Sequence, residues 1–296
     1  MTNKTKPIKI LADNCIISLG ETMQGTYRQK KFVEGDKTVP VEVLGWERKP
    51  KPSEDQAWKQ KQIEYLPTIG RIAKEKQILL YTYLELRHEA LRRNATNKFG
   101  NVFKDVEITS VDAAVERSYF FPGELSSYIS KKESKLIEFC KWLLKLTPDD
   151  INNIVERPPE LRTYPKFLLD NLKNVRRFRE LCKGLVENHY PDAFHLWSAE
   201  VNGVNFFLTI DRKFINVMTK TKKIDLPCKP ISPEDLLDEL DISELEPFEF
   251  QEGVFYNYCG NPIKNHKKQE TVGTYKKILD NFKNLLFRNK KDETLE

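Results

Sequence analysis

Hydrophobic residues recur along the chain with two different periods, and their alternation predicts an α/β fold. Short apolar runs typical of buried strands cover Ile8–Leu11, Gln77–Tyr83 and Asn205–Ile210, with a weaker run at Cys228–Ile231. Segments with apolar residues three and four positions apart lie between these runs. Strands that alternate with helices are typical of a mostly parallel central sheet flanked by helices.

Helices are predicted where this spacing coincides with residues that favour helix ends. The predicted helices cover Asn14–Leu19, Leu84–Arg93, Lys131–Leu146, Phe167–Leu185, His189–Gly203 and the segment that Ser232 caps. Pro191 lies in the first turn of the helix before the third strand, and Gly203 is a plausible C-cap. The whole of 94–190 is predicted to be mostly helical.

The segment from 20 to 76 gives a weaker pattern. Val41–Leu44 is a candidate strand, whereas Trp46–Gln62 is polar and interrupted by prolines, which predicts an exposed connection. Near the C-terminus, 234–252 carries only acidic charges and 264–291 is rich in lysine. The tail also has apolar residues at helical spacing, which predicts an amphipathic helix that docks on its own core or on a second subunit.

Composition and charge narrow the class of protein. The chain has 296 residues, of which 39% are hydrophobic and 31% charged, and these values are typical of a globular protein without membrane spans. The start of the sequence lacks the apolar region of a secretory signal. Its five cysteines are widely spaced without a CxxC pair, which argues against disulfide frameworks and zinc sites and indicates a cytoplasmic location. The net charge of +5 is a weak indication of a polyanionic partner.

Acidic residues follow the predicted strands at corresponding positions. Asp13, Glu85 and Asp211 each come directly after a strand or open the next helix, and Asp192 begins the helix before the third strand. Because the carboxyl ends of parallel strands meet at one edge of a sheet, we expect these four carboxylates to converge. Oxygen ligands in this number suit Mg²⁺ or Mn²⁺. Thr209 is placed to orient Asp211 or a bound water.

Each acid also has a structural explanation. Asp13 is a candidate helix N-cap, Asp192 stabilises a helix N-terminus, and Asp211 fits a turn. Glu85 fits a solvated helical charge, and Glu89, one turn later, competes with it for the ligand role. The metal hypothesis depends on the coincidence of all four positions at one sheet edge.

The segment from Asp192 to Phe214 resembles the signature of the PIN-domain ribonucleases, the family that includes VapC-like toxins. The residues that carry the resemblance are Asp192, Ala193, His195, Leu196, Ala199, Gly203, Phe207, Leu208, Thr209, Asp211 and Phe214. The strand ending at Asp13, the YLELRHEAL segment around Glu85 and KPISPEDLL (Lys229–Leu237) are similar to further parts of that family. Cys15 departs from it, because the family has a small polar residue there, and this puts a contact to the metal-bound water in doubt.

The resemblance implies a PIN-like, Rossmann-like domain that hydrolyses RNA with Mg²⁺ or Mn²⁺. The implied metal ligands are Asp13, Glu85, Asp192 and Asp211, with Thr209 as a further catalytic residue. We expect this domain to cover 1–242, with insertions at about 20–76 and 94–190 and a helical C-terminal extension at 243–296. The resemblance covers at most half of the chain, since family members are shorter.

Basic residues near the predicted metal edge are candidates for contacts with nucleic acid. They are Arg87, Arg92, Arg93, Lys173, Arg176 and Arg177. The three residues in the helix at 166–183 lie opposite its apolar stripe, where a solvated charged face is the alternative explanation.

The histidines and tryptophans of the chain favour structural roles. His195 is one helical turn from Asp192 and is a candidate general base, but a packing role is favoured. His88, His189 and His266 are weak candidates for metal ligands, because none pairs with another histidine at ligand spacing. Trp142 and Trp197 are predicted to belong to the core.

The leading hypothesis is a metal-dependent endoribonuclease that acts on RNA as a toxin or defence effector. By analogy with the family, an antitoxin-like inhibitory protein is a candidate partner, and a homo-oligomer is another; no membrane partner is expected. The alternatives are a structure-specific DNase with the same site and a non-catalytic RNA-binding or scaffold protein.

Overall fold

The computed structural model describes residues 7–34, 37–53, 56–91, 99–121, 134–156, 164–221 and 224–263. Contacts divide the described chain into two compact units. The first holds 7–23 and 49–251, and the second holds 24–48 and 252–263. Among the described residues, no helix has both the length and the apolar character needed to cross a lipid bilayer.

The first unit is built around a five-stranded sheet with the order β5-β4-β1-β6-β7. Its strands are β1 (Ile8–Ala12), β4 (Ile78–Tyr83), β5 (Ile108–Val111), β6 (Phe206–Leu208) and β7 (Lys229–Ile231). Every neighbouring pair is parallel, and Ile10 of β1 lies opposite both Leu80 and Phe206. The predicted α/β class with a mostly parallel central sheet is therefore confirmed.

Helices connect these strands. They are α1 (Asn14–Leu19), α2 (Ala57–Glu64), α3 (Leu66–Lys74), α4 (Leu84–Leu91), α5 (Ser134–Lys145), α6 (Pro148–Val155), α7 (Lys166–Lys173), α8 (Val175–Cys182), α9 (Tyr190–Val201), α10 (Arg212–Asn216) and α11 (Pro233–Glu239). Short 3₁₀ turns lie at Arg117–Tyr119 and Glu187–His189, and a π-helical turn at Val217–Thr221 follows α10. Ser232 caps α11 by accepting a hydrogen bond from the Asp235 backbone N–H, as predicted.

Both faces of the sheet are buried. Neighbouring residues of β6 point to opposite sides, so that Phe207 belongs to one hydrophobic cluster whereas Phe206 and Leu208 belong to the other. This double burial explains why the strands are continuous apolar runs without polar alternation. Trp197 is fully buried and Trp142 packs against the same cluster, which confirms their predicted place in the core.

The first unit differs from the sequence predictions in three places. The strand β5 lies in the segment expected to be mostly helical; its four residues are too few to give a period-two pattern. The helix α2 lies where an exposed connection was expected, because its sequence AWKQKQIE has no separate apolar face. The segment at 167–185 is divided into α7 and α8 rather than forming one helix.

The second unit is a three-stranded sheet with the order β2-β3-β8. Its strands are β2 (Met23–Glu34), β3 (Lys37–Arg48) and β8 (Phe255–Tyr256). Of this sheet the sequence predicted only Val41–Leu44. Arg28 forms an ion pair with Glu47, and its guanidinium lies 5.0 Å from the centroid of the Phe255 ring. The predicted helix of the C-terminal tail lies outside the described residues.

Candidate functional site

The candidate site lies where β1 and β6 end side by side. Asp13 follows β1, and its backbone N–H donates to the Leu208 carbonyl of β6 at 2.9 Å. The Thr209 hydroxyl donates to Asp13 Oδ2 at 2.7 Å and accepts from the Asp211 backbone N–H at 3.2 Å. Thr209 therefore links the two aspartates that the parallel pairing of β1 and β6 brings together.

Asp13 and Asp211 each cap a helix while they face the site. Asp13 Oδ1 accepts from the Cys15 backbone N–H at 3.3 Å, and Asp211 Oδ1 accepts from the Phe214 backbone N–H at 2.9 Å. The other oxygen of each carboxylate contacts groups of the site, namely Thr209 for Asp13 and His189 for Asp211. The capping role and the site role considered from sequence are thus compatible, because one carboxylate oxygen serves each.

Cys15 occupies the position where the sequence departs from the PIN pattern. Its thiol donates to Asp13 Oδ2 at 2.9 Å and lies 3.9 Å from the Thr209 hydroxyl. Burial, followed by the charge of Asp13, raises the pKa of the Cys15 thiol well above its usual value. The thiol is therefore a neutral hydrogen-bond donor to this carboxylate.

Asp192 and His189 complete a compact group of side chains. His189 Nδ1 lies 3.1 Å from Asp192 Oδ2 and 3.7 Å from Asp211 Oδ2. One ligand atom from each of these three residues lies within 4.8 Å of the other two. From the sequence, His189 was a weak candidate for a ligand because no second histidine lies at ligand spacing. In the structure it lies beside two carboxylates, Asp192 of α9 and Asp211 after β6.

The pKa of Asp192 is raised to about 6. Burial is the main cause and favours the neutral acid, and the charges of Asp13 and Asp211 add to it. His195 and His189 act in the opposite direction. The carboxylate repulsion expected from the sequence is therefore a smaller contribution than burial, and added positive charge would offset both.

His195 is buried beneath Asp192, one turn along α9. Its Nδ1 contacts the Tyr83 hydroxyl, and its Nε2 lies 3.4 Å from Glu89 Oε1. Burial lowers the pKa of His195, but the hydrogen bond to Glu89 and the charges of Glu89, Asp192 and Asp13 outweigh it and raise the pKa above the usual value. These buried contacts favour the packing role over that of a general base.

Glu85 is held by a different partner. It is 4% exposed, and its two carboxylate oxygens accept from Arg117 Nε and Nη2, each at 2.9 Å. Among the described residues, the group with mutual ligand distances below 4.8 Å consists of His189, Asp192 and Asp211. Metal ligation by Glu85 stays a prediction, and each of its carboxylate oxygens already accepts one hydrogen bond from Arg117.

The predicted nucleic-acid contacts fall into different environments. Arg87 is exposed at the start of α4 and lines a cavity of about 420 Å³, and Lys173 is exposed at the end of α7. The Arg176 side chain is 86% exposed, with Glu180 3.3 Å away. Arg177 is only 18% exposed, and it donates to both Glu200 oxygens at 2.8 and 2.7 Å. Its ion pair ties α8 to α9.

Two of the predicted basic contacts, Arg92 and Arg93, lie outside the described residues, as does His266.

The sequence interpretation also missed a basic group beside the site. Arg212, directly after Asp211, is exposed and stacks over the Trp58 ring at 5.1 Å from its centroid. The sequence contained a signal for this residue, because Arg212 directly follows the predicted ligand Asp211 in TIDRK.

The buried pair of Glu85 and Arg117 gives a first testable prediction. Arg117→Met leaves a buried carboxylate without its partner, so we expect the free energy of unfolding to fall by roughly 3–5 kcal/mol. The double variant Glu85→Gln, Arg117→Met should recover part of this loss. Urea unfolding checks both, and a single variant as stable as the wild type would show that the pair contributes no structural constraint.

The raised pKa of Asp192 gives a second testable prediction. Its folded pKa of about 6 exceeds the unfolded value of about 3.9, so its contribution to stability is fully present below pH 4 and is lost as the pH rises through 6. Without metal, Asp192→Asn should therefore raise the free energy of unfolding at pH 7 by roughly 1–3 kcal/mol, and the gain should shrink at pH 4. Urea unfolding at both pH values measures this.

The matched control is the exposed Asp170, whose change to Asn should alter stability by less than about 0.5 kcal/mol at either pH. A destabilised Asp192→Asn at pH 7 would contradict the electrostatic strain assigned to this site.

The structure thus brings Asp13, Asp192, Asp211 and Thr209 to one sheet edge, and it pairs Glu85 with Arg117. Comparisons of the chain with protein-family models, with curated proteins and with solved structures find no match.

Proposed function

We propose that this chain is a metal-dependent endoribonuclease of PIN type, which hydrolyses phosphodiester bonds of RNA at the edge formed by Asp13, Asp192 and Asp211. The observation that carries the proposal is the link through Thr209 between Asp13 and Asp211, with Asp192 close enough for both charges to raise its pKa. Three carboxylates that converge at one sheet edge are typical of a divalent metal site.

The topology supports the same location. Within the sheet, β4 and β5 lie on one side of β1, and β6 and β7 lie on the other side of β1. In parallel α/β sheets, ligands bind beyond the carboxyl ends of the strands, at the point where the strand order reverses. Asp13 and Asp211 occupy that point, and the sheet arrangement is compatible with the PIN-like fold implied by the resemblance.

The donor set fits Mg²⁺ or Mn²⁺. Asp13, Asp192 and Asp211 would hold the ion, and Glu85 is the predicted fourth ligand. When bound, the ion supplies positive charge that stabilises the phosphate in the transition state and lowers the pKa of a water molecule. Such an ion would also offset the charges of Asp13 and Asp211, which add to the effect of burial on the pKa of Asp192.

The protein's own groups supply the positioning. The helix caps made by Asp13 and Asp211 restrict the rotation of both carboxylates, and the Thr209 hydroxyl fixes Asp13 Oδ2. Rigid placement of this kind lowers the reorganisation needed in the transition state. The exposed Arg87 and Arg212 are suited to contacts with phosphates of the substrate.

The direct test is a cleavage assay with matched RNA and DNA oligonucleotides, in Mg²⁺ or Mn²⁺ and in EDTA. We expect metal-dependent cutting of RNA, and a loss of at least about a hundredfold in Asp13→Asn and in Asp211→Asn, since each removes a charged metal ligand. Both variants should fold, because the side-chain oxygen of Asn can cap the same helix.

The control for this assay is Asp170→Asn, which should cut at the wild-type rate. Unchanged cleavage in both site variants would remove the proposed active site. Cutting of DNA alone would replace the ribonuclease by a DNase that uses the same residues. No cutting of either, with RNA still bound, would favour the non-catalytic alternative.

The basic face of α7 and α8 generates a separate prediction about binding. Arg176→Glu and Lys173→Glu should each weaken RNA binding and make its dependence on salt shallower, by roughly one unit of slope for each phosphate that the variant no longer neutralises. Fluorescence anisotropy over a range of salt concentrations measures both quantities. Arg177 is unsuitable for this test, because its charge reversal breaks the ion pair with Glu200.

If neither Arg176→Glu nor Lys173→Glu changes the RNA affinity, the basic face of α7 and α8 is a solvated surface without an RNA contact. An inhibitory protein partner and a homo-oligomer remain proposals by analogy with the family.

A further inference from the structure

We propose that His189 is a nitrogen ligand of the metal site, and that the site therefore takes a first-row transition-metal ion such as Mn²⁺ in preference to Mg²⁺. The inference rests on the proposed function for the location of the metal site. It adds a ligand and a metal preference that the four-carboxylate set does not contain.

The distances around His189 match those between neighbouring ligands of one ion. In an octahedral site with ligand distances of about 2.1 Å, neighbouring ligand atoms lie roughly 3 Å apart. Nδ1 of His189 lies 3.1 Å from Asp192 Oδ2 and 3.7 Å from Asp211 Oδ2. Small rotations of these three side chains would therefore allow them to share a single ion.

The exposure of the three side chains leaves room for further ligands. His189, Asp192 and Asp211 are 22%, 23% and 36% exposed. They are buried enough to be held in place and open enough to leave coordination positions for water and for a phosphate oxygen. A site that keeps open positions is typical of catalysis rather than of a structural ion.

The local structure orients the imidazole toward the carboxylates. His189 ends a 3₁₀ turn and directly precedes α9, whose first turn contains Pro191 with its restricted backbone. The ring lies nearly parallel to that of Phe214, with 6.4 Å between the centroids and 27° between the planes. The Phe214 backbone N–H also holds Asp211 Oδ1, so one residue supports both proposed ligands.

The chemistry of the donor atoms gives the metal preference. Mg²⁺ is a hard ion that binds oxygen ligands and retains several waters. Imidazole nitrogen favours transition metals, whose affinity for a mixed nitrogen and oxygen site rises from Mn²⁺ toward Cu²⁺. An imidazole with two carboxylates is therefore selective against Mg²⁺.

The competing explanation is an ion pair without metal ligation. A protonated His189 would neutralise Asp192 and Asp211, and a bound cation would displace it from them. In that case, loss of the imidazole would weaken the binding of neither Mn²⁺ nor Mg²⁺, and a bound metal would have no nitrogen ligand.

The test measures metal binding to the full chain without any substrate. Calorimetric titrations with Mn²⁺ and Mg²⁺ compare the wild type with His189→Asn, and with Glu187→Gln as a control from the same turn. We expect His189→Asn to weaken Mn²⁺ binding by at least about tenfold, which is the scale of losses for groups that support metal ligands. Mg²⁺ affinity should change by less than about threefold, and Glu187→Gln should match the wild type for both ions.

Pulsed electron paramagnetic resonance of the wild type with Mn²⁺ gives a readout that does not depend on the variant folding. A nitrogen coupling in the wild type that disappears in His189→Asn supports direct ligation. Its absence from the wild type, or an equal loss of Mg²⁺ and Mn²⁺ affinity in the variant, would overturn the proposal.

These outcomes are separate from those of the proposed function. RNA cleavage without a nitrogen coupling would retain the ribonuclease and remove His189 as a ligand. A nitrogen coupling in a protein that cuts no RNA would retain the metal site and remove the ribonuclease.

Discussion

The parallel pairing of β1 with β4 on one side and with β6 on the other determines where the candidate site residues lie. β1 is central to the sheet and its residues Ile10 and Leu11 are fully buried, one on each face. A shift of one residue in its register would exchange the two faces and move Asp13 away from Thr209. The hydrophobic core and the candidate site are therefore specified by the same strand pairing.

Two carboxylates of this edge, Asp13 and Asp211, also stabilise the fold itself. Asp13 and Asp211 stabilise helix N-termini with one oxygen each, so their retention contributes to local structure even without a ligand. The charged form of Asp192 is destabilised instead, mainly by burial and further by the neighbouring carboxylates, as its raised pKa shows. Mutual repulsion among fixed carboxylates is unfavourable in the absence of a cation, and the same repulsion becomes affinity when a cation binds.

Buried charges below the edge constrain its surroundings. Arg117 neutralises Glu85, and Glu89 pairs with His195, which itself contacts Tyr83 of β4. These contacts join α4, β4 and α9 behind the site. Because a buried charge is stable only when it is paired, a change at one of these positions should affect the fold before it affects any chemistry at the edge.

The sequence alone determined the α/β class, the mostly parallel sheet with intervening helices, and the positions of Asp13, Asp192, Asp211 and Thr209 at strand and helix ends. It could do so because buried parallel strands are continuous apolar runs and because caps and turns have local signals. The strands β2, β3 and β5 carried too little periodicity to be recognised in full.

Only the tertiary structure decided which groups meet at the edge. His189 and Asp211 lie close together because α9 packs beside β6, and Glu85 faces Arg117 although 32 positions separate them in the chain. Neither contact has a local sequence signal, since each depends on how the helices pack on the sheet. Pairing of side chains from distant segments is a property of the packed fold, and charge and spacing along the chain do not specify it.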